Sequence, residues 1–503
     1  MKKILINENP WQTRIAITSD NLLQNIYFTG HTENPLERAF FKGIVTKVLP
    51  GIQTAFVDIG QEKAGFLHIS EIDRDLAIAK ISKQAQLDDD EETVRPRIAR
   101  QNIDISKIFK EGDHILVQVS KEPVYEKGAK LSTCFTLPGR FIVLMPNIPR
   151  IGVSKKIEDR DERTRLKKIV EQHLPEGMGA IIRTTSDERQ EQEIAKDISF
   201  LLETWNLIQD KFKKAEPKEK IYQDIELPLQ IVRDNLDDDV QEVITDNKDG
   251  LNKIYKFVKS IAPEYSQRIK LYEGPSPIFD FFGIEKQIEA ALEKKVPLKS
   301  GGSLIIETTE AMTVVDVNTG KFTGKKNLEE TILTTNLEAA QEVVRQLRLR
   351  NIGGLIVIDF IDMTSGANKQ KLFRFFEKTL RERDKFQSVV LKISEFGLVQ
   401  MTRKRSGITL LQQMMQKCVT CKGLGYVKSL ETECHEILRN LKEKLKALKT
   451  NAQVAIRINE EIFNHLTSIE YNAILSIERQ YQCKITLVSD KNLSVNQYKI
   501  EKK

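Results

Sequence analysis

Asp316 lies near the end of the alternating segment Met312-Thr313-Val314-Val315-Asp316-Val317-Asn318, and Asp359 closes the apolar run Gly353-Gly354-Leu355-Ile356-Val357-Ile358-Asp359. Two carboxylates, each delivered by a strand, are what a hard cation needs. Oxygen donors with no histidine or cysteine nearby suit magnesium or manganese rather than zinc. Magnesium keeps several waters and takes few protein carboxylates, which leaves room for phosphate oxygens. Singly, either aspartate can equally be the cap of a turn that follows a strand. Together, with Asn318 beside Asp316, the pair favours a site.

The elements around these residues must bring them to one place. Period-two alternation sets Asp316 and Asn318 on one face of their strand and Val315 and Val317 on the other. The unbroken apolar run before Asp359 predicts a strand covered on both faces. Between the two a helix is predicted, with Asn327 as N-cap and Glu330 in the capping-box position. Its apolar stripe is Leu328, Ile332, Ala339, Val343 and Leu347, and Gly353-Gly354 is its stop. Such a unit crosses over right-handedly and makes its strands parallel, so both carboxylates emerge at one carboxyl edge of the sheet.

With 503 residues and 40% hydrophobic content the chain is long enough for three or more domains with cores of their own. Its 78 basic and 72 acidic residues leave a formal charge of only +6, so local patches matter more than the total for nucleic-acid binding. No apolar run approaches twenty residues, and Ile4-Leu5-Ile6 is too short for a signal peptide's core. A soluble, cytoplasmic protein without a membrane span is expected. Five scattered cysteines argue for a reducing compartment without a disulfide framework.

Residues 41 to 69 read as the opening of a small barrel, with strands over 41–49, 53–59 and 65–69. Ala55, Val57 and Ile59 supply its core face, so Phe56 points outward together with Thr54 and Asp58. Phe66 and His68 likewise share a face. Two outward aromatics make a stacking platform for single-stranded bases, or else surfaces covered by an adjoining domain. The segment 73–111 interrupts the barrel with the acidic run 87–92, which reads as a solvated loop. Further on, Gly177 to Thr185 puts Arg183 and threonine hydroxyls at a strand end. They form either a phosphate grip or an ordinary surface pair.

Cys418-x-x-Cys421, followed by Gly423 and Gly425, is half of a zinc knuckle. The remaining ligands come from Cys434, from His435 or from another chain, or no metal binds. Beyond residue 427 the predicted order is helix 430–448, strand 454–458, helix 460–481 and strand 484–488, a small α+β unit without a catalytic constellation.

The stretches LKSGGSLIIETTEAMTVVDVNTG, NLEETILTTNLEAAQEVVRQLRLRNIGGLIVIDFIDM and ISEFGLVQMTRKR closely resemble the catalytic core of the bacterial ribonuclease E/G family. The resemblance begins at MKKILIN, continues through KVLPGIQTAFVDIGQEKAGFLHISEI, LPGRFIVLMPN and PEGMGAIIRTT, and covers most of residues 1 to 427. It implies a multidomain α+β fold. Residues 1–37 and 229–291 would form a split ribonuclease-H-like domain. An S1-type OB barrel (38–133) and a 5′-sensor (134–228) would be inserted into it. A DNase-I-like α/β catalytic domain (292–412), a zinc link (413–427) and a small C-terminal domain (428–503) would follow. The chain ends at Lys503 without the long tail of the larger members, so the shorter, G-type branch is expected.

By the same resemblance Asp316 and Asp359 bind magnesium, with manganese possible, and Asn318 orients Asp316 or the scissile phosphate. Phe56, Phe66 and Lys127 contact RNA. Arg183 and Thr184 grip a 5′-monophosphate in a pocket lined by Gly139 and Val143. Cys418 and Cys421 share one zinc between protomers of a dimer or tetramer; Val419 stands where many members have proline. Arg403, Lys404 and Arg405 either track backbone phosphate or form a solvated loop, and Asp362 is read as a bystander.

The expected function is a magnesium-dependent, single-strand-specific endoribonuclease of RNA processing and decay, acting on ribosomal RNA precursors and messenger RNA. It favours 5′-monophosphorylated RNA and leaves 5′-phosphate and 3′-hydroxyl ends. The rival expectation is a non-catalytic RNA-binding adapter built on an OB barrel.

Overall fold

The first strand, Lys2–Asn9, pairs antiparallel with its neighbour Gln12–Ser19 and parallel with Val240–Thr245, more than two hundred residues away. Alternate residues of this strand feed two cores. Ile4 and Ile6 join Ile15, Val243 and Ile254, while Leu5 joins Ala16, Phe279 and Ile284. The sheet runs in the order Ile269–Leu271, Val240–Thr245, Lys2–Asn9, Gln12–Ser19, Leu22–Gly30. Asp20 and Asn21, with φ of 52° and 63°, make the two-residue turn that right-handed strand twist demands. The computed structural model describes residues 1–30, 36–73, 104–123, 128–319, 328–394, 396–447 and 453–502. Contacts divide the chain into two units, Met1–Leu411 and Gln412–Lys503.

Five strands form a closed barrel: Phe40–Leu49, Thr54–Asp58, Gly65–His68, Lys130–Ser132 and His114–Lys121, the last pairing back to the first. Ala55, Val57 and Ile59 lie inside with Val45, Leu67, Val117 and Leu131, as the alternation requires. Closure needs Gly43, where a Cβ would lie 2.3 Å from Val57 Cγ1. Thr54, expected to face outward, is instead buried, its hydroxyl donating to the Ile52 carbonyl at 3.0 Å. The acidic run 87–92 lies outside the described residues. A second sheet, in the order Ile151–Val153, Gly179–Ile182, Ile142–Met145, Leu137–Pro138, shares a core with helices Arg160–His173 and Glu191–Lys214. The rings of Phe40, Phe135 and Trp205, with centroids 5.5 and 5.4 Å apart, tie this core to the barrel.

The sheet bearing the aspartates has six strands, in the order Lys295–Pro297, Ser303–Thr308, Met312–Asn318, Gly354–Asp359, Leu398–Arg403, Ser388–Val390. Only the two central strands are parallel, joined by helix Leu328–Leu349 as expected. Asn327 lies outside the described residues. Ala339, Val343 and Leu347 of that helix are buried, and Gly366–Arg383 packs beside it through Leu372 and Phe376.

Two expectations need correction. The Asp359 strand is not covered on both faces: Ile356 and Ile358 are buried, but Leu355 is 51% exposed and Asp359 faces solvent with it. Among the described residues helices cover one side only, and on the other the apolar run stays open. The helix stop is Asn351, in the left-handed region at φ 51°, with Ile352 N–H donating to the Leu347 carbonyl. Gly354, at φ 100°, opens the next strand instead, and a Cβ there would meet the Arg405 guanidinium at 2.6 Å.

The second unit holds helix Leu430–Lys446, strand Gln453–Ile458 and strand Lys484–Ser489, close to expectation. The predicted helix 460–481 is two helices, Glu460–Ser468 and Tyr471–Tyr481. Thr467 and Ser468 hydroxyls bond back to the Phe463 and Asn464 carbonyls at 2.8 and 2.6 Å, competing with the helical ladder at the break. A further strand, Tyr498–Lys502, pairs antiparallel with Gln453–Ile458 and completes a three-stranded sheet.

Candidate active site

Asp316 and Asp359 are register partners on the two parallel strands. Their side chains share the open face with Val314 and Val357 one step back and Met312 and Leu355 two steps back, since residues alternate across a sheet. Asn318 donates its amide N–H to Asp316 Oδ2 at 2.7 Å, which fixes that carboxylate's rotation. Partial desolvation, then the charges of Asp316 and Asp362, push the Asp359 carboxyl above the usual range. Asp362, read from sequence as a bystander, thus acts on the pair electrostatically. Crowded carboxylates of this kind are relieved by a cation. Among the described residues no three histidine, cysteine or carboxylate side chains converge as a cage. Two carboxylates with waters and substrate oxygens are a donor set that magnesium accepts.

Two supports were missed in the sequence. Asn336, fully buried in helix Leu328–Leu349, donates to the Ile361 carbonyl at 2.8 Å and accepts from the Ile361 N–H at 3.0 Å. Both backbone polar groups of the residue two beyond Asp359 are thereby held. Glu329, on the same helix, accepts from Thr364 Oγ1 at 2.7 Å and Ser365 N–H at 2.9 Å, bonds that draw its carboxyl down to about 2. A polar Asn336 amid an apolar stripe was the available signal.

On the barrel, Phe56 and Phe66 are direct cross-strand partners and both half-buried. The row extends to Lys47 on one side and Lys130 on the other, placing a cation at each end of the aromatic pair. A register shift between Val45 and Lys47 brings Lys47 into this row, which no local pattern could show. Lys130 is paired with Glu71. Lys127 lies outside the described residues.

Arg183 and Gly139 come together directly: Arg183 Nη1 donates to the Gly139 carbonyl at 2.6 Å and to Asp234 Oδ1 at 2.8 Å. Val143 sits opposite Ile181 on the adjoining strand, and Thr184 is exposed at the start of the following turn. Beneath Gly139 the half-buried Asp197 carboxylate accepts the N–H groups of Arg140, Phe141 and Ile142 at 2.9 to 3.1 Å, shaping this loop. Arg403 is not a phosphate contact. It is 3% exposed and makes a bidentate pair with buried Asp384. Lys404 and Arg405 are exposed.

In the second unit Cys418 is exposed and Cys421 half-buried. Backbone N–H groups of Cys421 and Thr420 hold the Cys418 thiol below its usual range, favouring the thiolate that metals bind. The two local alternatives for further ligands stand in different surroundings. Cys434 is sealed in the core with its thiol pushed up to about 11, and His435 is engaged by Glu470 at 2.9 Å.

The profile of the ribonuclease E/G family matches residues 136–406, that of the S1 RNA binding domain residues 37–133, and that of the RNase E/G thioredoxin-like domain residues 417–503. The chain is 40% identical over 439 residues to ribonuclease G of Escherichia coli K12, covering 87% of each. It is 39% identical over 473 residues to ribonuclease G of Haemophilus influenzae, covering 94% of this chain and 93% of that one. Ribonuclease E of Escherichia coli K12 is 35% identical over 506 residues, 99% of this chain but 46% of the relative.

Proposed function

We propose, for a chain that belongs to the ribonuclease E/G family and is thereby an endoribonuclease of RNA processing, that Asp316 and Asp359 hold a catalytic magnesium ion for hydrolysis of single-stranded RNA. The observation that carries this reading is the level placement of the two carboxylates on one open sheet face, with Asn318 locking Asp316. When bound, the ion supplies charge for an attacking water and a departing 3′ oxygen, consistent with 5′-phosphate and 3′-hydroxyl products. Asn336 and Glu329 keep the exit of the Asp359 strand in place, so the pair is held from helix and strand at once. The adapter reading is set aside, because the relatives over most of the chain are ribonucleases.

The remaining parts serve substrate handling. Phe56 and Phe66 stack bases, with Lys47 beside them for the backbone; Lys127, outside the described residues, is a further RNA contact of this reading. Arg183, Thr184, Gly139 and Val143 receive a 5′-monophosphate. Cys418 and Cys421 supply half of a zinc site, completed by the same pair of a second copy in a homodimer or tetramer. Ribosomal RNA precursors and messenger RNA are the substrates this reading implies. Five free cysteines suit a reducing cytoplasm, and among the described residues no helix is long and apolar enough to cross a membrane.

The test is cleavage of a labelled, unstructured oligoribonucleotide with magnesium titrated against a chelator, alongside calorimetric magnesium binding to the parent and to Asp316→Asn. Magnesium-dependent cutting with binding lost in the variant supports the assignment. Cutting that survives the chelator removes it.

A further inference from the structure

The dipeptide Asp384-Lys385 faces two ways. Asp384 turns into the catalytic core, where Arg403 Nε and Nη2 grip its carboxylate at 2.6 and 3.0 Å. Arg403 ends the strand hydrogen-bonded beside Gly354–Asp359, and its Nη1 donates to the Ile352 carbonyl at 2.6 Å. Lys385 turns away from that core. Its stem is exposed, and Nζ donates to Asn235 Oδ1 at 2.5 Å and to the Asp234 carbonyl at 3.3 Å.

That contact lands at the Arg183 pocket. The Asp234 carboxylate accepts from Arg183 Nη1 at 2.8 Å and from Arg233 Nε at 3.0 Å. The Asp234 carboxylate therefore joins the cations Arg183 and Arg233, while its own backbone carbonyl holds Lys385; Asp224 stands 3.6 Å from Arg233 on the other side. Among the described residues only Nη1 of Arg183 is engaged, so Nε and Nη2 remain for a ligand, as does one hydrogen of the Lys385 ammonium.

We infer that Lys385 is a specificity-determining residue for the RNA 5′ end, lending its ammonium, from the catalytic core, to the terminal phosphate gripped by Arg183. This rests on the 5′-sensor reading proposed above. A phosphate held by both residues ties the sensor to the Asp384–Arg403 anchor beside the Asp359 strand. Part of the binding energy then appears as turnover and not only as affinity.

The same arrangement makes the preference sensitive to pH. The groups facing the amine are Asp234 and Asn235 on helix Leu227–Asn235, Lys2 on the first strand, Arg183, and Arg348 on the crossover helix. Desolvation of the amine lowers the ammonium to about 8; Asp234 opposes the shift, and Lys2, Arg183 and Arg348 add to it. Lys385 is charged below that value and neutral above it. The preference is thus full near neutrality and fades in alkaline solution.

The experiment compares kcat and KM for matched unstructured oligoribonucleotides carrying a 5′-monophosphate or a 5′-hydroxyl, with parent, Lys385→Met, Lys385→Arg and Arg183→Gln, from about pH 7 to 9.5. Melting curves of each variant accompany the kinetics. Losing one charge-assisted contact should cut the monophosphate-to-hydroxyl ratio of kcat/KM about tenfold in Lys385→Met, with a share in kcat. Lys385→Arg should keep the ratio and hold it at alkaline pH, where the parent loses it. A ratio unchanged in Lys385→Met while Arg183→Gln abolishes it overturns the role of Lys385 and leaves the sensor standing. Equal losses on both substrates mark a purely structural residue and also overturn it. No discrimination by the parent, or none lost in Arg183→Gln and Lys385→Met alike, overturns the sensor reading and this inference together.

Discussion

Asn336 brackets a single residue, giving its side-chain N–H to the Ile361 carbonyl at 2.8 Å and taking the Ile361 N–H at 3.0 Å. The amide comes from the helix that crosses between the two aspartate strands, and Ile361 lies two residues past Asp359. One buried side chain thus couples the crossover to the strand exit that aims a site carboxylate.

Replacing Asn336 by alanine leaves the half-buried Ile361 N–H and carbonyl without this partner, each worth about 1 to 3 kcal/mol. Chemical denaturation should show a loss of roughly 2 to 6 kcal/mol, and turnover at saturating RNA should fall in the protein that remains folded. Full stability with full turnover would remove Asn336 from the argument.

Asp316→Asn and Asp359→Asn keep shape and lose charge. Each should lower the cleavage rate by roughly a thousandfold or more, several kcal/mol of barrier. RNA affinity, measured by anisotropy, should stay within a few-fold because the barrel supplies much of it. Variants that cut within about tenfold of the parent place the chemistry elsewhere.

Phe56→Ala and Phe66→Ala should each weaken single-stranded RNA binding by about 1 to 3 kcal/mol. Both rings are half-buried on the outside of a barrel whose core is built from other residues, so melting temperature should change little. A collapse in melting temperature with unchanged affinity would make the rings structural.

Glu329 gives a pH signature. Hydrogen bonds from Thr364 and Ser365 draw its carboxyl from 4.5 to about 2 in the folded chain. A folded-state value below the unfolded one stabilises the protein fully above the unfolded value and loses that contribution as acid is added toward the folded one. Urea melts between about pH 5 and 3 should therefore show a shallower acid loss for Glu329→Gln than for the parent. Parallel slopes would exclude the contribution.

Two thiolates such as Cys418 and Cys421 would satisfy half of a tetrahedral zinc ion, and structural zinc sites in small peptides contribute roughly 10 to 16 kcal/mol. Elemental analysis should find one zinc for two chains, and Cys418→Ser with Cys421→Ser should lose both the metal and the oligomer in sedimentation. One zinc per chain would argue against sharing.

What the amino-acid order determined by itself is local. Alternation alone sets Asp316 and Asn318 on one face opposite Val315 and Val317, because a strand's side-chain period is two whatever surrounds it. The apolar stripe through Ala339, Val343 and Leu347, the inward face of Ala55, Val57 and Ile59, and the Cys418-x-x-Cys421 spacing follow from the same near-neighbour geometry. What packs against an element is not local, and there the tertiary structure decided. The run before Asp359 reads as doubly covered yet is open on one side, because helices pack on only one face of its sheet. Arg403 sits in a basic stretch yet is withdrawn into a pair with Asp384, since guanidinium burial depends on a partner nineteen residues away in the chain. Lys47 enters the Phe56–Phe66 row through a register shift, and Lys385 reaches Asn235 across 150 positions. Backbone sterics act over a few residues and are written in the sequence. Register, burial and charge pairing are set by distant segments, and exist only once the chain has folded.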